Sequence, residues 1–318
     1  MLKPILLLLA LGSSPVHSMP PPALNCKPQL DIDELYKIKA KLSKTNAEST
    51  VKTNGKDFII DNRKELYKSL FEQCLYNKLL PSKWQSFSYR EQHRLFSFLL
   101  HVNFYFPDSY LLETMIAIVK HMESKGKFID NMLVSIHEAI VRSRKITEAR
   151  ALEATYPYIT FSKTFPMISS EINLRSYLYL DTTNKQLIKK GFKFPSTGYV
   201  VVISSPLCSP SKRFTTWLNL KKNSTFKEVF TNNAIFLTPT DSTLYIDALS
   251  TLNKSIAPIQ MHYSIDRNEW PEIQLWDTPT FYFYHNGVLK SQLVGWKSNE
   301  VSKQLMEHLN NIELFFRK

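Results

Sequence analysis

The chain has 318 residues, 43% of them hydrophobic, which suits a globular protein of about two domains and argues against extensive disorder. Its 40 lysines and arginines exceed its 28 acidic residues and give a net charge of +12, but they are spread along the chain, which favours a solvated surface over a nucleic-acid site. Its seven glycines never cluster, which argues against the phosphate-binding loops of Rossmann and P-loop proteins.

Residues 1–18 have the pattern of a secretory signal peptide. Lys3 precedes an apolar run from Ile5 to Leu11, and Val16-His17-Ser18 supplies a small-residue cleavage site. We therefore expect an exported protein, periplasmic or secreted, without a nucleic-acid partner; loose attraction to an anionic membrane face or to acidic partners stays open. No later stretch reaches the roughly 18 consecutive apolar residues of a membrane span, so no transmembrane span is predicted.

The chain has three cysteines, an odd number for an oxidising compartment. At least one thiol must therefore stay free or pair outside the chain. Cys74 belongs to a helical apolar stripe and is interpreted as a core residue. Cys26 lies in a proline-rich segment that we expect to be mobile, and it can pair with Cys74 only if that end of the helix is accessible. Cys208 is left as the candidate for chemistry.

The first 160 residues are predicted to contain two segments of different character. Residues 19–60 indicate a polar tether with at most a short helix from Ile32 to Leu42. Residues 61–160 indicate an all-α helical domain, whose four amphipathic helices are marked by the stripes Tyr67 to Leu79, Tyr89 to Val102, Leu111 to Val119 and Met132 to Ile140. Asp108 or Ser109 is expected to cap the third helix and Asp130 the fourth.

Residues 170–318 alternate between strand and helix patterns, which predicts an α/β domain. The expected elements are a buried strand Tyr199 to Ile203, a helix beginning near Pro210, a strand Ala234 to Leu237, a helix from Asp241 or Ser242 to Leu252, a strand Ile259 to Ile265, strands Thr280 to Tyr284 and Val288 to Val294, and a helix from Val301 to Phe316. Asn286-Gly287 predicts a hairpin with a type I′ turn, because both residues accept positive φ angles.

Cys208 stands between a predicted buried strand and a predicted helix, in Cys208-Ser-Pro-Ser211. The unpaired N–H groups and positive dipole end of a helix favour a thiolate over a thiol, so this position indicates an activated nucleophile. Lys212 and Arg213 add positive charge nearby. The alternative interpretation is a structural or vestigial cysteine. Pro279, about seventy residues later in Asp277-Thr278-Pro279, begins a predicted strand at an X-Pro bond, the usual place for a cis peptide.

The order of these elements resembles that of the thioredoxin superfamily. The matching segments run from Tyr199 to Ser211 and from Asp277 to Trp296. The extra helix and strand between residues 241 and 265 make the chain most similar to the exported TlpA/ResA-like branch. The resemblance covers residues 170–318 and implies an α/β thioredoxin-like C-terminal domain, a central mixed sheet flanked by helices. The all-α N-terminal half is assigned to no family.

The resemblance implies a role for each residue of the candidate site. Cys208 corresponds to the nucleophilic cysteine, and Ser211 occupies the position of the resolving cysteine. Thr278 and Pro279, with Trp276 nearby, correspond to the segment that binds the substrate chain. Because serine cannot form the internal disulfide, we expect a monothiol cycle in thiol-disulfide exchange. A cysteine-containing protein, a small thiol such as glutathione, or a mobile Cys26 would resolve the mixed disulfide.

A non-catalytic binding protein is the alternative function. It would keep the groove beside Pro279, hold a partner on an aromatic rim of Trp276, Trp296 and Phe281, and lack turnover because the second cysteine is missing. Since no histidine or cysteine has a second ligand at metal-binding spacing, neither a metal nor another cofactor is predicted. The oligomeric state is left open.

Overall fold

A computed structural model describes residues 23–45, 48–53, 56–169, 175–240, 242–297 and 299–314. The predicted signal peptide lies outside the described residues. The chain falls into an N-terminal half that is mainly helical and a C-terminal half built on a mixed sheet.

The segment predicted as a tether contains a helix and a hairpin. Helix α1 (Ile32–Leu42) has the predicted bounds, and its N-cap Asp31 accepts a hydrogen bond from the Glu34 amide. The helix buries four apolar side chains in the core: Ile32, Leu35, Ile38 and Leu42. Strands β1 (Glu48–Thr53) and β2 (Lys56–Asp61) pair antiparallel. The hairpin was not predicted because its residues are mostly polar, and the packed helix and hairpin show that a tether is the wrong description of residues 31–61.

The helical region continues from residue 63 to residue 155. Its helices are α2 (Arg63–Leu70), which runs on through a π-helical turn Phe71–Leu75, α3 (Pro81–Trp84), α4 (Tyr89–Tyr105), α5 (Ser109–Ser124), α6 (Asp130–Arg142) and α7 (Ile146–Thr155). Asp108 caps α5 as predicted, accepting from the amides of Tyr110 and Leu111. Asp130 does not cap α6, because it lies inside the helix and Ile129 takes the cap position. Helix α7 was missed because it buries little apolar surface.

The C-terminal half contains one eight-stranded sheet. Its elements are β3 (Met167–Ile168), β4 (Arg175–Asp181), β5 (Gln186–Phe192), β6 (Gly198–Ile203), α8 (Ser209–Leu218), α9 (Ser224–Asn233), β7 (Ala234–Thr238), α10 (Ile246–Ile256), β8 (Met261–Ser264), β9 (Thr280–His285), β10 (Val288–Val294) and α11 (Asn299–Asn311). The strand order is β10-β9-β6-β7-β8-β4-β5-β3. Strands β6, β7 and β8 are parallel, while β9 and β4 run antiparallel beside them. This is the mixed sheet that the thioredoxin-like resemblance predicts.

Most of the predicted C-terminal elements lie where the sequence indicates. The hairpin of β9 and β10 is confirmed, and Asn286 and Gly287 have φ angles of 53° and 70°. Helix α10 begins at Ile246, later than predicted, after Tyr245 in a left-handed conformation. Of the two predicted starts, Ser242 lies in the loop before this helix, while Asp241 and the final helix's Phe316 are outside the described residues. Helix α9 and strands β3 to β5 were not predicted.

One hydrophobic core extends through both halves of the chain. It includes Val200, Val202 and Phe283 of the sheet together with residues of α1 and α4 to α6. Whether residues 61–160 form a domain of their own therefore stays a prediction. The opposite face of the sheet has a smaller core, where Val201 and Ile203 pack with the loop before β9.

A buried arginine joins the helical half to one edge of the sheet. Arg144, just after α6, donates to the carbonyl oxygens of Ser264 at 3.0 Å, Ser242 at 2.9 Å and Pro239 at 3.3 Å. Ser264 ends β8 and Pro239 follows β7, so these contacts lie at the carboxyl ends of the parallel strands. The helical half therefore covers the edge of the sheet at which ligands of open α/β sheets bind.

Candidate active site

Cys208 occupies the N-cap position of α8, with φ −76° and ψ 122°. Its carbonyl oxygen accepts the first helical hydrogen bond, from Lys212 N at 2.9 Å, and its amide donates to Ser205 O at 3.3 Å. The side chain is half-buried and is the one free cysteine of the three. Strand β6 therefore delivers Cys208 to the start of a helix, as the sequence pattern predicts.

The Cys208 thiol contacts the loop that precedes β9. Its Sγ donates to the carbonyl oxygen of Thr278 at 3.1 Å, across a separation of 70 residues. Strand pairing explains the contact, because β9 runs antiparallel to β6 and Thr280 pairs with Ile203. The Thr278–Pro279 peptide bond is cis. The structure thus brings together three of the predicted site residues, Cys208, Thr278 and Pro279.

Hydrogen bonds hold the loop on both sides of the Thr278 carbonyl. The hydroxyl of Thr280 donates to Asp277 O at 2.7 Å. The carbonyl of Pro279 accepts from the amide of Gly295, which has a φ of 82°, at 2.8 Å. The oxygen that faces the sulfur therefore lies in a segment held by hydrogen bonds from the first residue of β9 and from the residue after β10.

Ser211 lies one turn into α8 and is only 1% exposed. Its Oγ accepts a hydrogen bond from the Ser205 amide at 3.4 Å, which helps to close the turn between β6 and α8. The guanidinium of Arg213 donates to Trp296 O at 3.5 Å. Ser211 thus has a structural contact of its own within the site.

The aromatic rim proposed for a binding protein is not an exposed surface. Trp276, Trp296 and Phe281 are 4%, 6% and 0% exposed, respectively. Phe281 and Trp296 pack against Phe214 of α8, and the indole N–H of Trp276 donates to Ile273 O at 3.0 Å. The prediction of an aromatic rim is therefore wrong, because these rings fill the cores on the two faces of the sheet.

Cys26 and Cys74 form a disulfide, with their Cα atoms 5.4 Å apart. The sequence left this pairing open. Cys74 is buried as predicted, and the bond fixes the segment before α1 to the helical core. A mobile Cys26 that resolves a mixed disulfide is therefore wrong, since its sulfur is already paired.

An ion pair reaches the site from the N-terminal half and was missed by sequence reasoning. Arg63 at the start of α2 donates to Asp277 at 3.0 Å and to Asp61 at 2.8 Å. The hydrogen bond with Asp61 raises the pKa of the guanidinium above its usual value, so Arg63 stays charged. Nothing in the local sequence links residues 214 positions apart, and only the fold reveals the contact.

Two cavities lie between the helical half and the carboxyl edge of the sheet. The smaller, about 210 Å³, is lined by Asp61, Arg63, Lys64, Phe104, Tyr105, Arg267, Trp276 and Asp277. The larger, about 360 Å³, is lined by residues from the start of α2, the α4–α5 loop, the α6–α7 loop and the segments after β7 and β8. Trp276 thus lines a cavity although it is only 4% exposed.

Within the described ranges, no cluster of three or more histidine, cysteine or acidic side chains is arranged to hold a metal ion. In the same part of the chain, no helix has the length and apolar character needed to cross a membrane.

No family model matches the chain, and no curated protein matches it at a significant level. Among solved structures, an uncharacterized thioredoxin-like protein from Porphyromonas gingivalis is similar over 49% of this chain and 97% of its own, with 6% identity and a TM-score of 0.32. A thioredoxin-like protein from Bacteroides caccae is similar over 76% of this chain and 91% of its own, with 11% identity and a TM-score of 0.28. A peroxiredoxin-like protein from Aquifex aeolicus is similar over 46% and 98%, with 9% identity and a TM-score of 0.25. At these scores the similarities carry no argument about function.

Proposed function

We propose that this protein carries out thiol-disulfide exchange by a monothiol mechanism, with Cys208 as the nucleophile. The observation that carries the proposal is the contact between Cys208 Sγ and the Thr278 carbonyl at 3.1 Å. The free thiol thus lies at a helix N-terminus, is half-buried, and stands beside a backbone segment at the edge of the sheet. A thiolate there faces the positive end of the helix dipole.

The proposed thiol-disulfide exchange takes place in two steps. In the first, the Cys208 thiolate attacks one sulfur of a substrate disulfide; a bond to Cys208 forms, the substrate S–S bond breaks, and the second substrate sulfur leaves as a thiolate. In the second, an external thiolate attacks the mixed disulfide, and Cys208 leaves as a thiolate. The number of disulfides is unchanged, so the net result is transfer or rearrangement of a disulfide. Ser211 cannot take the second step from within the protein.

Thr278 and Pro279 are proposed to position the substrate chain. Thr278 is half-exposed while Pro279 is buried, so the edge of this loop faces solvent next to the sulfur. An extended chain that bonds to the Thr278 backbone would hold its cysteine against Cys208. Asp277, whose side chain is 49% exposed, and Trp276, which lines the smaller cavity, extend this surface toward the helical half.

Export is part of the proposal. The disulfide between Cys26 and Cys74 supports it, because such bonds persist in oxidising compartments. We also propose that the chain is a member of the TlpA/ResA-like branch, because α10 and β8 correspond to the extra helix and strand of that branch. The helical half is proposed to be a docking module, since it covers the edge of the sheet beside Cys208.

The test is to trap mixed disulfides on the mature protein. A peptide carrying an activated disulfide is mixed with the wild-type protein and with the Cys208→Ser variant, and the covalent adduct is measured by mass spectrometry. We expect one adduct, on Cys208, that is released by an added thiol, and none on the variant. If Cys208 forms no adduct in the folded protein, the non-catalytic binding protein is the better description.

A further inference from the structure

We propose that the two cavities form one groove that binds an acidic peptide segment next to the cysteine of the substrate. This inference rests on the proposed function and names its substrate class. The groove is defined by the residues that line both cavities: Lys64, Phe104, Tyr105 and Arg267.

The first support is the position of the groove relative to the nucleophile. Parallel strands place their carboxyl ends at one edge of a sheet. Cys208 follows β6, Thr240 follows β7 and Arg267 follows β8, so all three lie at that edge. Thr240 and Arg267 line the larger cavity and are joined by a hydrogen bond from Arg267 Nε to Thr240 Oγ1 at 2.9 Å.

The second support is that the groove leads to the loop beside the sulfur. The smaller cavity is lined by Trp276 and Asp277, which directly precede Thr278. Arg267 lies over the Trp276 ring, 5.5 Å from its centroid, and also faces the larger cavity. A chain bonded to the Thr278 backbone would therefore enter the groove as it extends past Asp277.

The third support is charge. In the smaller cavity Arg63 pairs with Asp61 and Asp277, so the excess of positive charge lies in the larger one. Among the described residues, five basic and two acidic side chains line the larger cavity: Lys64, Arg142, Arg144, Lys145 and Arg267 with Asp108 and Asp266. Both carboxylates already accept backbone hydrogen bonds, Asp108 as the cap of α5 and Asp266 from the Asn268 amide. A cleft with an excess of one sign of charge and low-dielectric walls concentrates that field, so the groove attracts anions.

The basic side chains of the larger cavity are held by contacts within the protein. The side chain of Arg142 is 13% exposed, lies over the Phe104 ring at 5.6 Å and pairs with Glu138 at 3.8 Å. The ammonium of Lys145 is 3.3 Å from Ser109 Oγ, and since an ammonium carries three N–H donors this one contact does not saturate it. These groups suit the carboxylates of glutamate and aspartate side chains.

The shape favours an extended chain over a compact anion. The larger cavity has about 360 Å³, within the range of ligand sites of roughly 300 to 1,000 Å³, and the smaller one continues it toward Cys208. Phe104, Leu112 and Ile265 supply apolar wall for the stems of the acidic side chains. Glutathione offers the same carboxylate chemistry in a smaller molecule, so the test separates the two sources.

The test measures binding without thiol chemistry, in the full mature chain carrying Cys208→Ser. The probes are a fluorescent peptide with four glutamates around a central serine, the same peptide with glutamines, and S-methylglutathione as a competitor. We expect the glutamate peptide to bind at least about tenfold more tightly than the glutamine peptide at low salt, with the difference shrinking as salt rises.

Charge reversal locates the site. Lys64→Glu should weaken binding of the glutamate peptide about tenfold and leave binding of the glutamine peptide unchanged. Lys68→Glu is the matched control, because Lys68 is one turn further along α2, is also half-buried and lines neither cavity. Both variants change the net charge equally, and their circular dichroism spectra and melting curves are compared to confirm that both fold.

Equal binding of the two peptides, or equal losses in the two variants, would overturn the proposal. A second outcome would rule out a peptide as the source of the carboxylates. In it, S-methylglutathione competes tightly, Lys64→Glu abolishes that competition, and the glutamate peptide is not preferred over the glutamine peptide. Because these measurements use a protein without the Cys208 thiol, they stand whether or not Cys208 proves reactive.

Discussion

Arg63 of the N-terminal half and Asp277 of the loop beside the sulfur form an ion pair with an N–O distance of 3.0 Å. Asp277 directly precedes Thr278, whose carbonyl faces Cys208. Since Asp61 orients the same guanidinium at 2.8 Å, the pair is part of a three-residue network and not a single surface contact. The helical half therefore touches the site through the residue next to the proposed substrate-binding backbone.

Replacing Arg63 should affect peptide substrates more than small reagents. Arg63→Met removes the partner of Asp277 and loosens the loop before Thr278. We expect the rate of mixed-disulfide formation with a peptide to fall about three- to tenfold, the size of a lost charge-assisted hydrogen bond of about 1 kcal/mol. Alkylation of Cys208 by iodoacetamide should not change.

Stopped-flow measurement of both reactions checks this expectation. Arg94→Met serves as the control, since Arg94 also forms an ion pair, with Asp33, in a part of the helical half that lines neither cavity. A parallel loss of both reactivities in Arg63→Met would mean that the pair supports Cys208 itself and not the substrate.

Introducing a second cysteine should create a dithiol site. Ser211 lies one turn from Cys208, at the position that we propose corresponds to a resolving cysteine, so Ser211→Cys should allow the mixed disulfide to be released from within. We expect the variant to gain reduction of a protein disulfide with a dithiol donor by at least about tenfold over wild type. Turbidity of reduced insulin measures it.

The control for this gain is the variant that carries both Ser211→Cys and Cys208→Ser. It has a cysteine at position 211 without the proposed nucleophile and should remain inactive. An inactive Ser211→Cys protein with a normal melting curve would argue for the binding protein, since restoring the missing thiol then restores no chemistry.

The sequence predicts the elements that carry the site better than the contacts between them. Each of these elements has a local signal in the sequence. A run of apolar residues marks β6, a proline in the first turn marks the helix that Cys208 caps, and Asn286-Gly287 marks the hairpin after Pro279. Strands β4 and β5 were missed because half of their side chains are polar or only partly buried.

The sequence has no comparable signal for which aromatic side chains are buried or which distant residues pair. Trp276 and Trp296 look like exposed aromatics beside a hairpin, but the fold turns both into the cores of the sheet. The Arg63–Asp277 pair and the groove depend on how two distant halves meet. The two halves are held together by the hydrogen bonds of Arg144 and by the shared core, and no periodicity in the sequence reveals these contacts.

Removing the disulfide should destabilise the protein without changing the site. The bond joins residues separated by 48 positions, and closing a loop of that length lowers the entropy of the unfolded chain by an amount equivalent to about 4 kcal/mol. The variant with Cys26→Ser and Cys74→Ser should lose about 2 to 4 kcal/mol of unfolding free energy in urea titrations. Its Cys208 adduct should form at the wild-type rate, and a loss of that reactivity would mean that the disulfide supports the site.

Stability should fall as the pH drops from about 6.5 toward 4, because buried histidines must be protonated on unfolding. Burial, helped by Lys190, lowers the pKa of His262 from 6.5 to about 4, and burial beside Lys39 does the same for His101. Between these values the unfolded chain binds a proton that the folded protein does not, so each histidine favours the folded state fully above pH 6.5 and loses its contribution as the pH falls to about 4. Each contributes a slope of about 1.4 kcal/mol per pH unit. Urea titrations at several pH values should show a reduced slope in His262→Gln. An unchanged slope in His262→Gln would show that this imidazole is protonated in the folded protein at the same pH as in the unfolded chain.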